Sequence, residues 1–552
     1  MLTHIHLSLP KTYHHHFSQL LKKPFSSFKK QPSVCLDGNS LSPQSLFDIG
    51  YKDMKLGLSE SASEKVKKSR ECINQMLNTG EVVYGLNTGF GVFSSIVLPP
   101  DELELLQYNL IRSHSVGVGE PLTVEQTRML FALRINVLAK GHSGISFENL
   151  KHIIKAFNLG VLPKIPSQGS VGASGDLAPL AHLALSLLGE GEVWNKERNG
   201  FLPSNEYLSS INMNPLKLGA KEGLALINGT QLITTIGTEA LIRSERLLKA
   251  ANIVSAMTFQ ALRGNKSILD KGIHELRPHE GQIKVANTLR GLIDSPKYPS
   301  EILDHFPHAV QDAYTLRCIP QVHGVVQDLL KLSRKFLATE INSATDNPIV
   351  FPERMGKKNV FISGGNFHGE YPAKACDMMK IAIQEIATMS ERRIERLVNK
   401  TLSGPNIKGI KTTLPAFLVK EGGLNSGFMI AQYTAAALAS ENKVLVHPSS
   451  SDTIPTSMNQ EDHVSMGTTS ARHALQVVKN IEYIVAIELL AACQALEFLK
   501  PYKPSKPIQK VYQLVRKLVE PWDKDRYFSP DIEVVAKLIR ENQISKSIEE
   551  FF

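Results

Sequence analysis

The sequence predicts a mainly α-helical protein whose core is a bundle of long helices. From residue 221 onward, apolar residues recur at helical spacing over long stretches. Two of the long helices are predicted at about 374–398 and about 471–499. An earlier one carries an apolar stripe formed by Leu232, Ile236, Leu241 and Leu248. Because such helices bury their apolar faces against one another, a helical bundle is the expected fold.

Changes in composition divide the chain into four regions. Residues 1–33 are rich in Ser, His and Lys and contain no acidic residue, so we expect a basic, disordered extension. Residues 34–220 alternate short helical patterns with glycine-bearing loops, which is typical of a region where a site is assembled. Residues 221–500 form the predicted central bundle. Residues 501–552 follow a proline-rich connector and are predicted to form a helical cap.

Composition excludes several classes of protein. With 42% hydrophobic residues in 552, the chain can bury a large core. Its richest apolar run, residues 483–496, is short for a membrane span and contains Glu488. The five cysteines include no C-x-x-C pair, which indicates reduced thiols. We therefore expect a soluble, cytoplasmic protein that has no membrane partner.

The net charge of +9 comes partly from lysines that precede the first acidic residue, Asp37. This stretch lacks arginine and any nucleic-acid recognition motif, so we expect a solvated tail and no nucleic-acid partner. His14, His15 and His16 have no carboxylate or cysteine nearby to complete a metal site, so no metal is expected there.

Residues 169–179 are the stretch where the sequence most strongly indicates a functional site. Three glycines allow tight backbone folding, and Asp176 with Pro179 suits the first turn of the apolar helix that follows. Ser174 would lie at the positive end of that helix. A capped turn, an anion-binding cradle and a reactive centre all fit this pattern. A serine-hydrolase elbow does not fit, because it requires glycine where Asp176 stands.

The run from Gly169 to Pro179, continuing into Leu180-Ala181-His182-Leu183, resembles the signature of the aromatic amino acid ammonia-lyase family. In that family an Ala-Ser-Gly triplet, here Ala173-Ser174-Gly175, cyclises and loses water to form a 4-methylidene-imidazol-5-one group. The residue types fit, because the nitrogen after Ser174 must attack the Ala173 carbonyl and glycine leaves it unhindered. The resemblance implies an autocatalytically formed electrophile and no external cofactor. Covalent capture of the substrate would divide a difficult removal of a β-proton into easier steps.

Two further segments resemble the same family. Residues 83–91 match the segment that carries the catalytic tyrosine, so Tyr84 is the candidate general base; a core tyrosine beside a glycine turn also fits the spacing. Because an ordinary phenol is protonated near neutral pH, a base role requires surroundings that favour the phenolate, or proton transfer coupled to loss of ammonia. Residues 224–231 match the Asn-Gly-Thr segment, which would place Asn228 beside the prosthetic group and substrate. A helix cap is the alternative for Asn228.

The resemblance also implies a set of substrate-binding residues. A stretch similar to the carboxylate-binding segment would give Arg317 the substrate carboxylate, with Gln311 and Tyr314 alongside. A guanidinium fits a carboxylate with two parallel hydrogen bonds, although an ion pair on a helix surface explains Arg317 equally well. A further matching loop places Phe367 near the site.

The ring pocket resembles that of the histidine-specific branch of the family. His114 precedes a Val-Gly-Val-Gly run, Glu461 lies within Asn-Gln-Glu-Asp-His, and Met429 completes the pattern. An imidazole can pair with a polar ring partner and with a carboxylate. A phenyl ring would leave both of these pocket groups unpaired, at a cost of about 1–3 kcal/mol for each group. The resemblance thus implies that Glu461 is a catalytic residue and that His114 and Met429 bind the substrate. Glu461 and His463 could also suggest a metal pair, but no third ligand follows at a defined spacing, so no metal is expected.

The resemblance covers the chain from about residue 34 to its end. It implies elimination of ammonia from L-histidine to give trans-urocanate, the first step of histidine degradation. It also implies a homotetramer in which several chains contribute to each active site. Another lyase or an aminomutase on the same scaffold is the nearest alternative. A catalytically silent helical scaffold is an alternative from another class, and the joint presence of the triplet, Tyr84 and Arg317 argues against it.

Overall fold

The computed structural model describes residues 33–79, 82–404 and 413–551, and most of these residues are helical. The predicted mainly α-helical class is confirmed. The extension predicted at 1–33 lies outside the described residues, except for Ser33, which begins the first strand.

The N-terminal region packs short helices around one helix that is buried along almost its whole length. Its helices are α1 (Pro43–Tyr51), α2 (Glu60–Thr79), α3 (Leu103–His114), α4 (Val124–Ala139), α5 (Phe147–Asn158), α6 (Leu177–Leu187), α7 (Ser204–Ser210) and α8 (Glu222–Ile227). A capping box begins α4: Thr123 and Gln126 each accept, through the side chain, a hydrogen bond from the other's backbone N–H. Every residue of α4 from Gln126 to Ala139 is buried, so α4 forms the core of this region.

Short strands pair at four places in the described part of the chain. Strand β1 (Ser33–Leu36) runs parallel to β2 (Lys55–Leu58), with Ser33 opposite Lys55. The antiparallel pairs are β3 (Val118–Pro121) with β4 (Pro166–Gln168), β5 (Glu192–Asn195) with β6 (Gly200–Pro203), and β7 (Ile349–Val350) with β8 (Phe361–Ile362). The sequence does not predict them, because two to four residues are too few to show the alternation typical of a strand.

The central region is the predicted bundle of long helices. In chain order its helices are α9 (Gln231–Ala261), α10 (Lys271–Glu275), α11 (Glu280–Ile293), α12 (Glu301–His305), α13 (Tyr314–Arg317), α14 (Ile319–Ile341), α15 (Glu370–Val398), α16 (Met429–Leu445) and α17 (Gly467–Glu497). The long helices α9, α15 and α17 pack on one another, and α14 packs on α9 and α15. All four residues of the predicted stripe on α9 are buried.

The bundle also buries ion pairs between its helices. Arg393 of α15 donates to both carboxylate oxygens of Glu488 on α17 at 2.6 and 2.9 Å, and neither residue is exposed. Thr258 of α9 donates to the same carboxylate at 2.7 Å. Glu488 therefore joins three helices, which explains a charge within the most apolar run of the sequence. Within the described residues, no helix is both long enough and apolar enough to cross a membrane.

The C-terminal region lies against the bundle. Its helices are α18 (Lys506–Arg516), α19 (Ser529–Arg540) and α20 (Gln543–Lys546). Helix α19 packs on α17, and Arg540 at its end donates to Glu482 of α17 at 3.1 Å. The described residues also form one-turn 3-10 helices at Gly91–Phe93, Pro100–Glu102, Lys266–Leu269, Pro352–Arg354, Ala416–Leu418, Ser449–Ser451, Ser457–Asn459 and Glu549–Phe551.

Candidate active site

A cavity of about 1010 Å³ opens beside residues 169–176, here called the triplet loop. Segments from the N-terminal region and from the loops before α15 and α17 form its walls. The sequence-predicted residues that line it are Tyr84, His114, Ala173, Ser174, Asn228, Phe367 and Glu461. Residues far apart in the sequence therefore meet around Ser174.

The triplet loop is held at the N-terminal ends of bundle helices. Gly369 N, just before α15, donates to Gly172 O at 3.0 Å, and Met466 N, just before α17, donates to Val171 O at 2.9 Å. Helix N-termini carry free N–H groups and partial positive charge. The bundle therefore fixes the loop by its backbone and surrounds it with positive potential.

Asp176 anchors the loop to a third long helix. Its carboxylate accepts from Leu232 N and Ile233 N at the start of α9 at 2.8 and 2.9 Å, and from the hydroxyls of Ser170 and Thr468 at 2.7 and 2.9 Å. Asp176 stands at the start of α6, as its predicted place at the first turn requires, but its side chain makes no capping hydrogen bond to that helix. Burial raises the pKa of this carboxyl in spite of its four donors.

A second carboxyl group, Glu340 of α14, makes the stability of this region depend on pH. Thr230 Oγ1, just before α9, donates to Glu340. Burial raises the pKa of Glu340 to about 7; the Thr230 hydrogen bond opposes the rise and the Asp176 carboxylate adds to it. Since the folded pKa lies above the ordinary value of 4.5, the stabilisation is complete below about pH 4.5 and is lost as the pH rises through about 7.

We therefore expect the urea midpoint of the wild-type protein to fall as the pH rises from about 4.5 to about 7. In Glu340→Gln, which has no proton to lose, the midpoint should fall less over the same range. Both proteins would be measured at one protein concentration, so that any self-association affects them equally. Equal pH dependence in the two proteins would contradict this assignment.

Gly175 is the member of the triplet at which the surrounding structure allows only glycine. Its φ is +78°, and a Cβ at this position would lie 2.3 Å from the Gly229 carbonyl oxygen. That same oxygen accepts a hydrogen bond from Asp176 N at 2.6 Å. Both the backbone conformation and the close contact therefore exclude a side chain here.

The Ser174 side chain and backbone each have a partner from another segment. Ser174 Oγ donates to Glu461 Oε1 at 2.7 Å, and the Asn228 side-chain amide donates to Ser174 O at 2.8 Å. The other Glu461 oxygen accepts from Thr456 Oγ1 at 2.8 Å, which fixes the carboxylate. Glu461 is thus placed to exchange a proton at Ser174 Oγ. Asn228 is placed to polarise the carbonyl beside the Ser174 Cα–H bond.

Tyr84 directly precedes the glycine-bearing loop at 85–91 and lines the same cavity. It is half-buried, and its hydroxyl accepts from Gly91 N at 3.4 Å. Gly85 beside it has a φ of +71° and abuts Leu224, so the turn that presents the ring depends on glycine. Tyr84 lines a cavity, whereas the alternative for this residue, a tyrosine packed in the hydrophobic core, would not.

His114 is the last residue of α3 and faces the cavity with a polar ring. Its Nδ1 lies 3.0 Å from Ser113 Oγ. Burial lowers the pKa of His114, whereas the Glu461 carboxylate raises it. Because burial is the larger effect, the imidazole is neutral near neutral pH and can either donate or accept a hydrogen bond.

Asn347 is a cavity residue that sequence reasoning missed. Its side chain donates to Ser363 Oγ at 3.0 Å and accepts from Gly364 N at 2.8 Å, which joins two parts of the wall. The Asn-Pro dipeptide at this point is a turn signal that could have drawn attention to it. His368 and His463 were also missed as a pair, and their parallel rings lie 5.7 Å apart at the cavity.

The other predicted residues do not reach the cavity within one chain. Tyr314 and Arg317, the two ends of α13, are exposed, Tyr314 to 70%. Gln311 lines a separate cavity of about 80 Å³, and Met429 is half-buried at the start of α16. As for metals, the described part of the chain brings together no group of three or more His, Cys, Asp or Glu side chains that could hold an ion.

Known proteins resemble this chain over most of its length. The family model described as aromatic amino acid lyase matches residues 41–517. The histidine ammonia-lyase of Bos taurus is 53% identical over 513 residues, which are 93% of this chain and 76% of that protein. The crystal structure of histidine ammonia-lyase from Trypanosoma cruzi is 49% identical with a TM-score of 0.86, over 94% of this chain and 95% of that one. A tyrosine aminomutase structure from Streptomyces globisporus is 35% identical with a TM-score of 0.86, over 94% and 98%. The chain therefore belongs to the aromatic amino acid lyase family.

Proposed function

We propose that this protein eliminates ammonia from L-histidine to give trans-urocanate, the first step of histidine degradation. The observation that carries the proposal is the hydrogen bond of 2.7 Å between Ser174 Oγ and Glu461, in a cavity that Tyr84 and His114 also line. The similarity to proteins named histidine ammonia-lyase in animals and bacteria supports it.

The residues of the triplet fit the prosthetic group implied by the family. In its formation, Gly175 N bonds to the Ala173 carbonyl carbon, and the first water takes the carbonyl oxygen with the amide protons of Ser174 and Gly175. The second water takes Ser174 Oγ with its proton and the Ser174 Cα proton. The unhindered Gly175, the carboxylate at Ser174 Oγ and the amide at Ser174 O suit these steps. Once formed, the group supplies an electrophilic methylidene that captures the substrate, so no external cofactor is required.

Side chains of this protein would bind the substrate ring and remove the β-proton. Loss of Ser174 Oγ frees Glu461 Oε1, which then becomes available to accept the imidazole N–H of the substrate. His114, being neutral, can pair with the other ring nitrogen. Tyr84 is the candidate base for the β-proton, and Phe367 packs against the substrate from the cavity wall.

This pocket predicts selectivity for an imidazole ring. His114→Leu should lower kcat/KM for L-histidine roughly 5- to 150-fold, because one unpaired buried polar group costs about 1–3 kcal/mol. The same change should not lower kcat/KM for L-phenylalanine, whose ring has no polar atom to pair. Steady-state kinetics with both substrates would test this. An equal loss for both amino acids would contradict the assigned role of His114.

An aminomutase acting on an aromatic amino acid is a second candidate, because a tyrosine aminomutase structure has the same TM-score as the histidine ammonia-lyase structure. Purified protein would be given L-histidine, L-tyrosine and L-phenylalanine in turn, and the products separated by chromatography. We expect urocanate and ammonia from L-histidine as the dominant products. A β-amino acid as the main product, or a preference for L-tyrosine, would favour the second candidate.

We further propose a homotetramer in which neighbouring chains supply Gln311, Tyr314, Arg317 and Met429 to each site. Exposed apolar side chains beside Gln311 and along α16 support self-association. They are Val310 at 98%, and Ile430, Tyr433 and Val444 of α16 at 58, 62 and 76%. Arg317 would bind the substrate carboxylate with two parallel hydrogen bonds.

Complementation between two inactive variants would test this sharing of residues. Ser174→Ala and Arg317→Ala should each be nearly inactive alone. When the two chains are co-expressed in equal amounts, about one quarter of the sites should combine an intact Ser174 with an intact Arg317. Activity near that fraction is the expected result. If tagged chains co-purify as mixed oligomers and activity does not return, the sharing is refuted.

The cysteines support a reducing, cytoplasmic location. All five lie in the described part of the chain and carry free thiols. Three of them, Cys72, Cys376 and Cys493, are buried, and burial raises the pKa of each of these thiols, which keeps them protonated and unreactive.

A further inference from the structure

Arg134, a fully buried residue of α4, lies directly behind the segment that contacts the triplet. Its Nη1 donates to Asn228 O at 2.7 Å and to Gln231 Oε1 at 2.9 Å, and its Nη2 donates to Ala225 O. A guanidinium without solvent exposure is thus used to hold two backbone carbonyls and one amide oxygen.

The two carbonyls belong to the C-terminal end of α8, where the last C=O groups lack partners within the helix and carry partial negative charge. Arg134 satisfies them and thereby sets the direction in which the chain leaves α8. The two residues that follow α8 are those that contact the triplet loop. The Asn228 side chain donates to Ser174 O at 2.8 Å, and Gly229 O accepts from Asp176 N at 2.6 Å.

We infer that Arg134 is a positioning residue for the cyclisation of Ala173-Ser174-Gly175: its guanidinium fixes the Asn228–Gly229 segment that contacts the triplet loop. This inference rests on the proposed function. Cyclisation needs Gly175 N close to the Ala173 carbonyl carbon, and a misplacement of about 1 Å at reacting atoms slows reactions by about 100-fold. Lysine can replace the forked guanidinium only in part, because its single ammonium group does not present parallel donors.

The surrounding charges indicate that an Arg134 variant can fold. Lys221 and Asp346 form an ion pair of 3.2 Å in which both side chains are fully buried. Burial lowers the pKa of Arg134 to about 10, opposed by the Asp346 carboxylate, so Arg134 is charged at neutral pH. Replacing Arg134 with glutamine removes one of two cations and leaves Asp346 paired with Lys221. No buried carboxylate loses its only partner.

Helix α4 also offers a matched control. Arg128, six residues earlier, is buried as well, and its guanidinium donates to Ile49 O at 3.0 Å and to Met54 O at 2.6 Å. It therefore makes the same kind of bond from the same helix to a segment remote from the triplet. Arg128→Gln removes a buried arginine that makes no contact with the Asn228–Gly229 segment.

The test uses the intact mass of the full chain, purified at a fixed time after synthesis, together with the oligomeric state from light scattering. Wild type and Arg128→Gln should be lighter than the sequence by two waters. Arg134→Gln should keep the wild-type oligomeric state, but its dehydrated fraction should be about ten-fold lower than that of wild type, or lower still. The dehydrated fraction of Arg134→Lys should lie between those of wild type and Arg134→Gln. Complete dehydration of a folded Arg134→Gln would overturn the inference.

Two further outcomes are separable. If Arg134→Gln fails to fold, the dehydrated fractions of Arg134→Lys and Arg128→Lys are compared instead. Equal dehydration of these two variants overturns the inference. Slower dehydration of Arg134→Lys alone upholds it. If the wild-type chain itself has its full mass, the proposed function fails, whatever the variants do.

Discussion

Replacing Ser174 with alanine is expected to abolish urocanate formation, with kcat lowered by roughly 1000-fold or more. Alanine has no hydroxyl to lose as water, so no methylidene can form even if the backbone cyclises. The substrate then meets a cavity with an intact Tyr84, His114 and Glu461 but no electrophile. Urocanate absorbance with L-histidine in excess would measure the effect.

Ser170→Ala is the matched control for this experiment. Ser170 lies in the same loop and donates to Asp176 at 2.7 Å, so its loss removes one of four donors at a net cost of about 0.5–1.5 kcal/mol in stability. It leaves the triplet intact and should remain active. If Ser174→Ala forms urocanate as fast as Ser170→Ala, the account of catalysis is wrong. A helical scaffold without chemistry would then become the better interpretation.

Asp176→Ala is expected to lower the free energy of unfolding by about 3 kcal/mol or more. The change leaves two backbone N–H groups and two hydroxyls around a buried cavity, and each unpaired buried donor costs about 1–3 kcal/mol. It also releases the triplet loop from the start of α9. Urea denaturation at one protein concentration would measure the loss of stability.

Asp176→Asn separates the role of the acceptor oxygen from that of the charge. One amide oxygen can still accept from Leu232 N and Ile233 N, while the amide nitrogen can donate to the hydroxyls, which rotate. Since burial raises the pKa of Asp176, the site does not favour the charge itself. We expect Asn to retain most of the stability that Ala loses. Equal losses in both variants would show that the charge is essential.

The long helices were predictable because their periodic faces are buried. The prediction at 374–398 corresponds to α15 at Glu370–Val398, and the one at 471–499 to α17 at Gly467–Glu497. Both helices begin earlier than predicted, and the reason lies in the fold. Gly369 and Met466, which precede them, are fixed by hydrogen bonds to the triplet loop. Contacts between distant segments, which no local pattern contains, decide where these helices start.

The resemblance predicts residues that the structure places around one cavity, but the residues that support them could not be predicted from it. The local pattern suits Asp176 to the first turn of its own helix, but it does not show that the carboxylate binds the start of α9, more than fifty residues away. Arg134 lies in an apolar helix and carries no local signal of its partners. Residues 457–459, beside Glu461, take positive φ values of 53, 55 and 66° without any glycine, so that turn could not be read from the sequence either.

Formation of the electrophile from the triplet is tested most directly by the mass of the proteolytic peptide that contains residues 169–179. The peptide would be released from wild-type protein that converts L-histidine to urocanate. We expect a peptide lighter than its sequence by two waters, with the loss confined to Ala173-Ser174-Gly175. An unmodified peptide mass in active protein would contradict this expectation, because the elimination would then proceed without the electrophile on which the site is built.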